Sequence, residues 1–196
     1  MAHLLTILVL LFTGAKAFAG FDEGVSAFKR NDHAVALEQF RAAAKKGHAG
    51  AQYYLGRMYL MADGVPADYK QSTVFFQQAA AQGHADAQYY LGVLYYLGEG
   101  VSQDYSKALK WYSEAAAQGD HVAQYSLGVM YASGEGVTAD NVQALMWFDL
   151  AAAGGSEDAE KFRTIMTGTM TAAEISRAKQ LARERKLVPR KPKALR

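Results

Sequence analysis

The chain repeats itself every 36 residues. Ala51-Gln52-Tyr53-Tyr54-Leu55-Gly56 returns as Ala87-Gln88-Tyr89-Tyr90-Leu91-Gly92, and again as Ala123-Gln124-Tyr125-Ser126-Leu127-Gly128, without slippage. A fixed period of this length marks a stack of supersecondary units, not one globular core. Residues related by such a repeat spread along the stack, so the pattern favours a binding scaffold over an enzyme.

One unit reads as two helices. Ala87, Leu91 and Tyr95 lie four apart on one stripe, and Tyr90 and Leu94 widen it. Gly98-Glu99-Gly100 breaks that helix, and Asp104 suits the start of the next, where its carboxylate can accept from free N–H groups. Ala108, Trp111, Tyr112, Ala115 and Ala116 form the inward face of the second helix, which Gly119 ends. Neighbouring units keep the register: Gly64, Gly100 and Gly136 align, as do Gly83, Gly119 and Gly155. Asp68, Asp104 and Asp140 also align, as do Phe75, Trp111 and Trp147. Asp68-x-x-Gln71 and Asp140-x-x-Gln143 resemble capping boxes. A single helix pair cannot bury its own apolar stripe, whereas stacked pairs can. The expected fold is all-α, a right-handed solenoid of stacked antiparallel helix pairs.

The chain divides into a signal peptide at 1–19 and a degenerate helix-pair repeat at 20–47. Full repeats follow at 48–83, 84–119 and 120–155, then C-terminal capping helices at 156–185 and a basic, disordered tail at 186–196. In the degenerate repeat, Phe28, Ala36, Phe40 and Ala43 keep a helix-pair rhythm. Beyond Gly155 a helix with Ala159 and Phe162 inward is expected. Thr171-x-x-Glu174 then opens a last helix packed through Ile175, Ala178, Leu181 and Ala182. Atypical end units are what a stack needs as caps.

Residues 4–12 are almost wholly apolar, and Ala17-Phe18-Ala19 fits the small-x-small cleavage rule, with a cut after Ala19 or, alternatively, after Ala17. The run is too short to span a bilayer, which takes about 20 residues. The n-region carries only His3 and no Lys or Arg. These residues predict export, to the periplasm or beyond the cell. The chain has no Cys, so it has no disulfide, no thiolate metal site and no lipid-attachment Cys. Its net charge of +2 hides an asymmetry: residues 1–176 carry 12 Lys and Arg against 18 Asp and Glu, whereas residues 177–196 carry nine against one. The basic tail could meet an anionic membrane surface or stay solvated. It is too short and too poor in aromatics for a nucleic-acid module.

The Ala-x-Tyr-x-Leu-Gly-x-Met/Leu-Tyr helix resembles the Sel-one-like repeat (SLR), of the tetratricopeptide superfamily. The Gly-Val-x-x-Asp loop, the Ala-x-x-Trp-Tyr/Phe-x-x-Ala-Ala helix and the closing Gly strengthen the resemblance. It covers three full copies over 48–155 and a weaker one over 21–47. It implies adaptor and scaffold roles in protein complexes. Some exported bacterial relatives carry paired Cys and have been linked to penicillin binding; this Cys-free chain departs from them.

In tetratricopeptide-like stacks the first helix of each pair lines a concave groove. Mapped here, the resemblance places Tyr53, Tyr89 and Tyr125 in one column, with Arg57, Asp86, Val93, Tyr96, Leu97 and Val129 around it. Tyrosines supply stiff, amphipathic contact area for a peptide or partner helix. The opposing expectation is that the rings pack between repeats. Gly56, Gly92 and Gly128, with the loop and closing glycines and Trp111 and Trp147, are assigned structural roles. His48 and His84 recur at helix starts and are expected to be exposed, not metal ligands, since zinc needs converging ligands. The three aligned Asp are expected to cap helices. No nucleophile elbow, P-loop, Rossmann or zinc-protease motif occurs. The sequence therefore predicts an exported, cofactor-free adaptor or scaffold that binds a protein on its concave face. The alternatives are an envelope hydrolase acting on a β-lactam or peptidoglycan, a glycan-binding module, or a secreted effector.

Overall fold

The computed structural model describes residues 20–187. The expected signal peptide and residues 188–196 of the expected tail lie outside the described residues, whereas residues 186 and 187, also assigned to that tail, belong to the last helix. Among the described residues every regular element is a helix. The chain forms two compact units, the first ending at His84 and the second beginning at Ala85.

The first unit holds α1 (20–29), α2 (His33–Lys45), α3 (Ala49–Met61) and α4 (Tyr69–Ala81). The second holds α5 (Ala85–Leu97), α6 (Tyr105–Ala117), α7 (His121–Ser133), α8 (Asn141–Ala153), α9 (Glu157–Thr167) and α10 (Ala172–Leu187). Within each unit the helices stack as antiparallel pairs, as the repeat period predicts.

The joint inside each pair is an aromatic ring on a bare stretch of helix. A Cβ at Gly56 would lie 2.6 Å from the ring of Phe76. At Gly92 it would lie 2.6 Å from Tyr112, and at Gly128, 2.6 Å from Phe148. The pair α1/α2 uses the same joint, with Gly24 facing Phe40 at 2.7 Å. Phe40, Phe76 and Phe148 are fully buried and Tyr112 nearly so. A glycine inside a helix costs about 1 kcal/mol relative to Ala, whereas burying an aromatic ring contributes about 1.5–3 kcal/mol. The joint therefore stabilises each pair despite its poor helix former.

Polar contacts fix the ends of each pair. The N–H groups of Asp68, Asp104 and Asp140 donate to the carbonyls of Tyr59, Tyr95 and Tyr131 at 3.0, 2.9 and 2.9 Å, cinching each loop back onto its first helix. The same Asp side chains accept from the opening N–H groups of α4, α6 and α8, as expected of caps. The reciprocal half of the expected capping boxes at Gln71 and Gln143 gives way to this arrangement, because the Asp N–H is already engaged by the tyrosine carbonyl of the first helix. At Thr171 the box is complete: Glu174 accepts from the Thr171 N–H at 2.8 Å, and Thr171 Oγ1 accepts from the Glu174 N–H at 3.3 Å. A second device escaped sequence reasoning. Gln82 donates to Gln52 and Gln118 donates to Gln88, each at 2.7 Å, tying the end of one helix to the start of its mate. Gly154 stands at the corresponding place in the third full repeat, and there Gln124 donates to the Ala116 carbonyl at 3.3 Å instead.

The C-terminal cap closes on α8. Ala178 and Ala182 of α10 are buried in the cluster that contains Trp147, with Ile175 and Leu181 packed at its edge. The Arg185 guanidinium lies 4.1 Å from the Trp147 ring centroid, so this arginine belongs to the cap and not to the solvated tail. Phe162, expected inward, keeps 40% exposure although its ring stacks on Phe148 at 5.3 Å. Its ring also meets Tyr125 edge-on at 5.8 Å, and among the described residues α9 is the last first-position helix of the unit.

Gly92→Ala separates the two terms of the joint. Better helix propensity alone would add about 1 kcal/mol, whereas crowding a buried ring costs about 1–3 kcal/mol. Net destabilisation and a lowered denaturation midpoint are expected in chemical unfolding. A stabilised Gly92→Ala protein would remove the joint from the account.

Candidate functional site

The candidate residues divide between the two units. In the first, Tyr53 is half-buried and stacks on the His84 ring at 4.6 Å. Its outer neighbour Arg57 places its guanidinium 5.4 Å from the Phe28 ring. His84 is itself buried, and His48 is half-buried, stacked on Phe21 at 4.2 Å, with Nδ1 accepting from the Ala51 N–H. The expectation that these histidines are exposed is therefore corrected. Each ring is held by an aromatic partner, which makes an imidazole at a helix start favourable to bury.

In the second unit the first-position helices α5, α7 and α9 carry the remaining candidates. Tyr89 and Tyr125 are half-buried, and so are Asp86, Val93, Tyr96 and Val129. Leu97 is 53% exposed. The two opposed expectations for the tyrosines are each half right. Tyr89 leans on Tyr112 and Tyr125 leans on Phe148, the same rings that cover the helix glycines, while part of each tyrosine stays accessible. The joint thus also sets the height of the tyrosine above the helix.

The face is acidic. Tyr96 donates to Glu135 at 2.7 Å, and this bond, with burial second, pushes the Tyr96 phenol up to about 12. Burial raises the Tyr89 phenol, with Tyr90 and Asp120 adding to it. Burial and then Asp158 raise the Tyr125 phenol, against Lys161. These phenols stay protonated and keep a donor near neutral pH.

Sequence reasoning missed several members of this face. Ile165 is 65% exposed and stands 36 residues after Val129 and 72 after Val93, so extending the repeat register into α9 would have found it. Glu135 sits in a loop, where helical spacing carries no signal. Val122, 39% exposed, and Phe162 complete the apolar part.

Two open hollows lie by the second-position helices. One, of about 550 Å³ in the first unit, is lined by Arg41, Lys45, Gln52, Phe75 and Gln78 among others. The other, of about 370 Å³ in the second unit, is lined by Asp149, Glu160, Arg163, Lys179 and Arg183 among others. Arg163 already pairs there with Asp149 at 3.8 Å and with Glu160. Among the described residues no group of His, Asp and Glu is placed to hold a metal ion. No helix among them is long and apolar enough to cross a membrane.

With this geometry in place, comparison with known proteins identifies the repeat. The family described as Sel1 repeat matches residues 49–84, 85–120 and 121–156. A Sel1 repeat protein from Oxalobacter formigenes superposes with a TM-score of 0.72 at 26% identity, over 83% of this chain and 68% of that one. The uropathogenic Escherichia coli protein c5321, described as a protective antigen displaying an SLR fold, gives 0.61 at 28% identity over 86% of this chain and 45% of that one. A curated relative, an exopolysaccharide production negative regulator of Rhizobium meliloti (strain 1021), is 46% identical over 48 residues. That stretch is 24% of this chain and 18% of the relative, so only a small part of that protein is shared.

The helix starts also carry a pH dependence. Burial holds the His48 imidazole below its ordinary value, with Asp22 pulling weakly the other way. The cap needs the neutral ring, because Nδ1 must accept from Ala51. A depressed folded value means that this stability is complete above the unfolded value of about 6.5 and is lost as pH falls through the folded one. Asp120 fills the same role in α7, accepting from the Ala123 N–H at 2.8 Å. His48→Asp should therefore keep the cap and flatten the pH dependence of thermal unfolding just below pH 6.5. An unchanged profile would show that His48 does not titrate with folding.

Proposed function

This chain belongs to the Sel1 repeat family, and from that premise we propose that it is a protein-interaction scaffold, exported and working in the bacterial cell envelope. The observation that carries the scaffold reading is the first-helix face of the second unit, where Leu97, Val122, Phe162 and Ile165 stay exposed around half-buried tyrosines. Tyrosines held at fixed height by buried rings, with exposed apolar side chains around them, are the material of an interaction surface. The face offers shape and contact area, which supports a role in recognition. The aligned Asp68, Asp104 and Asp140 are spent on helix caps, which leaves the hydrolase alternative without a supporting observation. The apolar segment at residues 4–12 and the small residues after it support export.

Site-specific photo-cross-linking in cells tests the reading. A photoreactive residue replacing Leu97 is expected to give a defined protein adduct, and the same residue replacing exposed Ser106 on α6 is not. No adduct from position 97, or the same set from both positions, would contradict a scaffold that binds through this face.

A further inference from the structure

The same face carries a charge pattern that specifies its ligand. Asp86, Tyr89, Val93 and Tyr96 follow one another on α5 at spacings of three, four and three, which sets them on one stripe. Glu135 reaches this stripe through Tyr96, and Asp120 lies near Tyr89. Residues 85–187 carry nine Lys and Arg against 13 Asp and Glu, and five of those cations lie on α10, which packs on α8. Four of these acids are already matched. Asp104 pairs with Lys107 at 3.1 Å, Asp158 with Lys161 at 2.9 Å, and Asp149 and Glu160 with Arg163. Among the described residues Asp86, Asp120 and Glu135 form no ion pair. The unmatched negative charge of the unit thus includes a group beside its exposed apolar and tyrosine surface.

We propose that this face of the second unit binds a cationic peptide segment of a partner protein, one rich in Lys or Arg with aliphatic side chains between them. The proposal rests on the scaffold reading above and names the chemistry of its partner. Asp86 and Glu135 pair with the cations, and the accessible phenol rings lie where guanidinium or ammonium groups can stack. Leu97 and Ile165 receive the aliphatic side chains. Charge complementarity of this kind steers encounter and rejects acidic segments, so the affinity falls with salt.

Fluorescence anisotropy with the full chain tests it. The probe is a labelled peptide of sequence Leu-Lys-Leu-Arg-Ala-Lys-Leu-Arg, and its counterpart carries Glu for every Lys and Arg. The basic peptide should bind at least about ten-fold tighter than the acidic one and weaken as salt rises. Asp86→Asn with Glu135→Gln should weaken it about ten-fold. Glu23→Gln with Glu38→Gln, the same charge change at two exposed positions of the first unit, should leave it within about two-fold. Leu97→Ala with Ile165→Ala, both at exposed positions, should also weaken binding with folding intact. Equal binding of the acidic peptide, or equal effects of the two charge pairs, would overturn the proposal. So would a peptide that binds only after residues 188–196 are deleted, since the chain's own segment would then be the occupant. A partner cross-linked at position 97 and undisturbed by Asp86→Asn with Glu135→Gln would defeat the cationic ligand and leave the scaffold standing. Absence of any cross-linked partner would defeat the scaffold itself.

Discussion

An aromatic ring can lie flat on a helix only where the helix has no side chain. Gly24, Gly56, Gly92 and Gly128 provide that bare patch, and Phe40, Phe76, Tyr112 and Phe148 fill it. Two backbones joined this way approach more closely than any pair of larger side chains would permit, and packing at interior density makes the distance hard to change. The loop Asp residues and the Gln pairs then fix the ends of helices whose middles are already in contact. Four pairs use one joint, so their geometry repeats as faithfully as their sequence.

The face proposed for binding is a by-product of that joint. Tyr89 and Tyr125 rest on the rings that cover the glycines, which holds them half in and half out of the core. Beyond the last full repeat the device stops: Thr164 stands where the glycine would be. There α10 docks on α8 through Ala178, Ala182 and Arg185, and α9 leaves Phe162 and Ile165 exposed. Exposed apolar side chains therefore gather on α9, where Asp158 and Glu160 pair with Lys161 and Arg163, while Asp86, Asp120 and Glu135, which form no ion pair among the described residues, lie toward α5 and α7.

The fold was legible because every element is announced several times. The 36-residue register located the helices, the closing glycines and the Asp caps, since an error in one repeat is corrected by its neighbours. Gly47, Gly83, Gly119 and Gly155 all take φ between 85 and 95°, a region that penalises any Cβ. The site was less legible. Register placed Tyr89, Val93 and Leu97 on one face, but exposure depends on what the following helix covers, which spacing does not encode. Glu135 was missed because it acts from a loop, and Ile165 because α9 lacks the Tyr-Leu-Gly signature that carries the register. The histidines misled because Asp120 replaces them in the third full repeat. His48 and Asp120 perform one capping function by two chemistries.

The most direct measurement is a double-mutant cycle on the third joint, pairing Gly128→Ala with Phe148→Leu and reading each stability by chemical denaturation. If the ring presses on the glycine, shortening it relieves the clash made by the new Cβ. The two changes should then be less than additive, with a coupling of about 1 kcal/mol or more. Additivity within about 0.5 kcal/mol would mean that the ring and the glycine are independent, and that something else holds the helix pairs together.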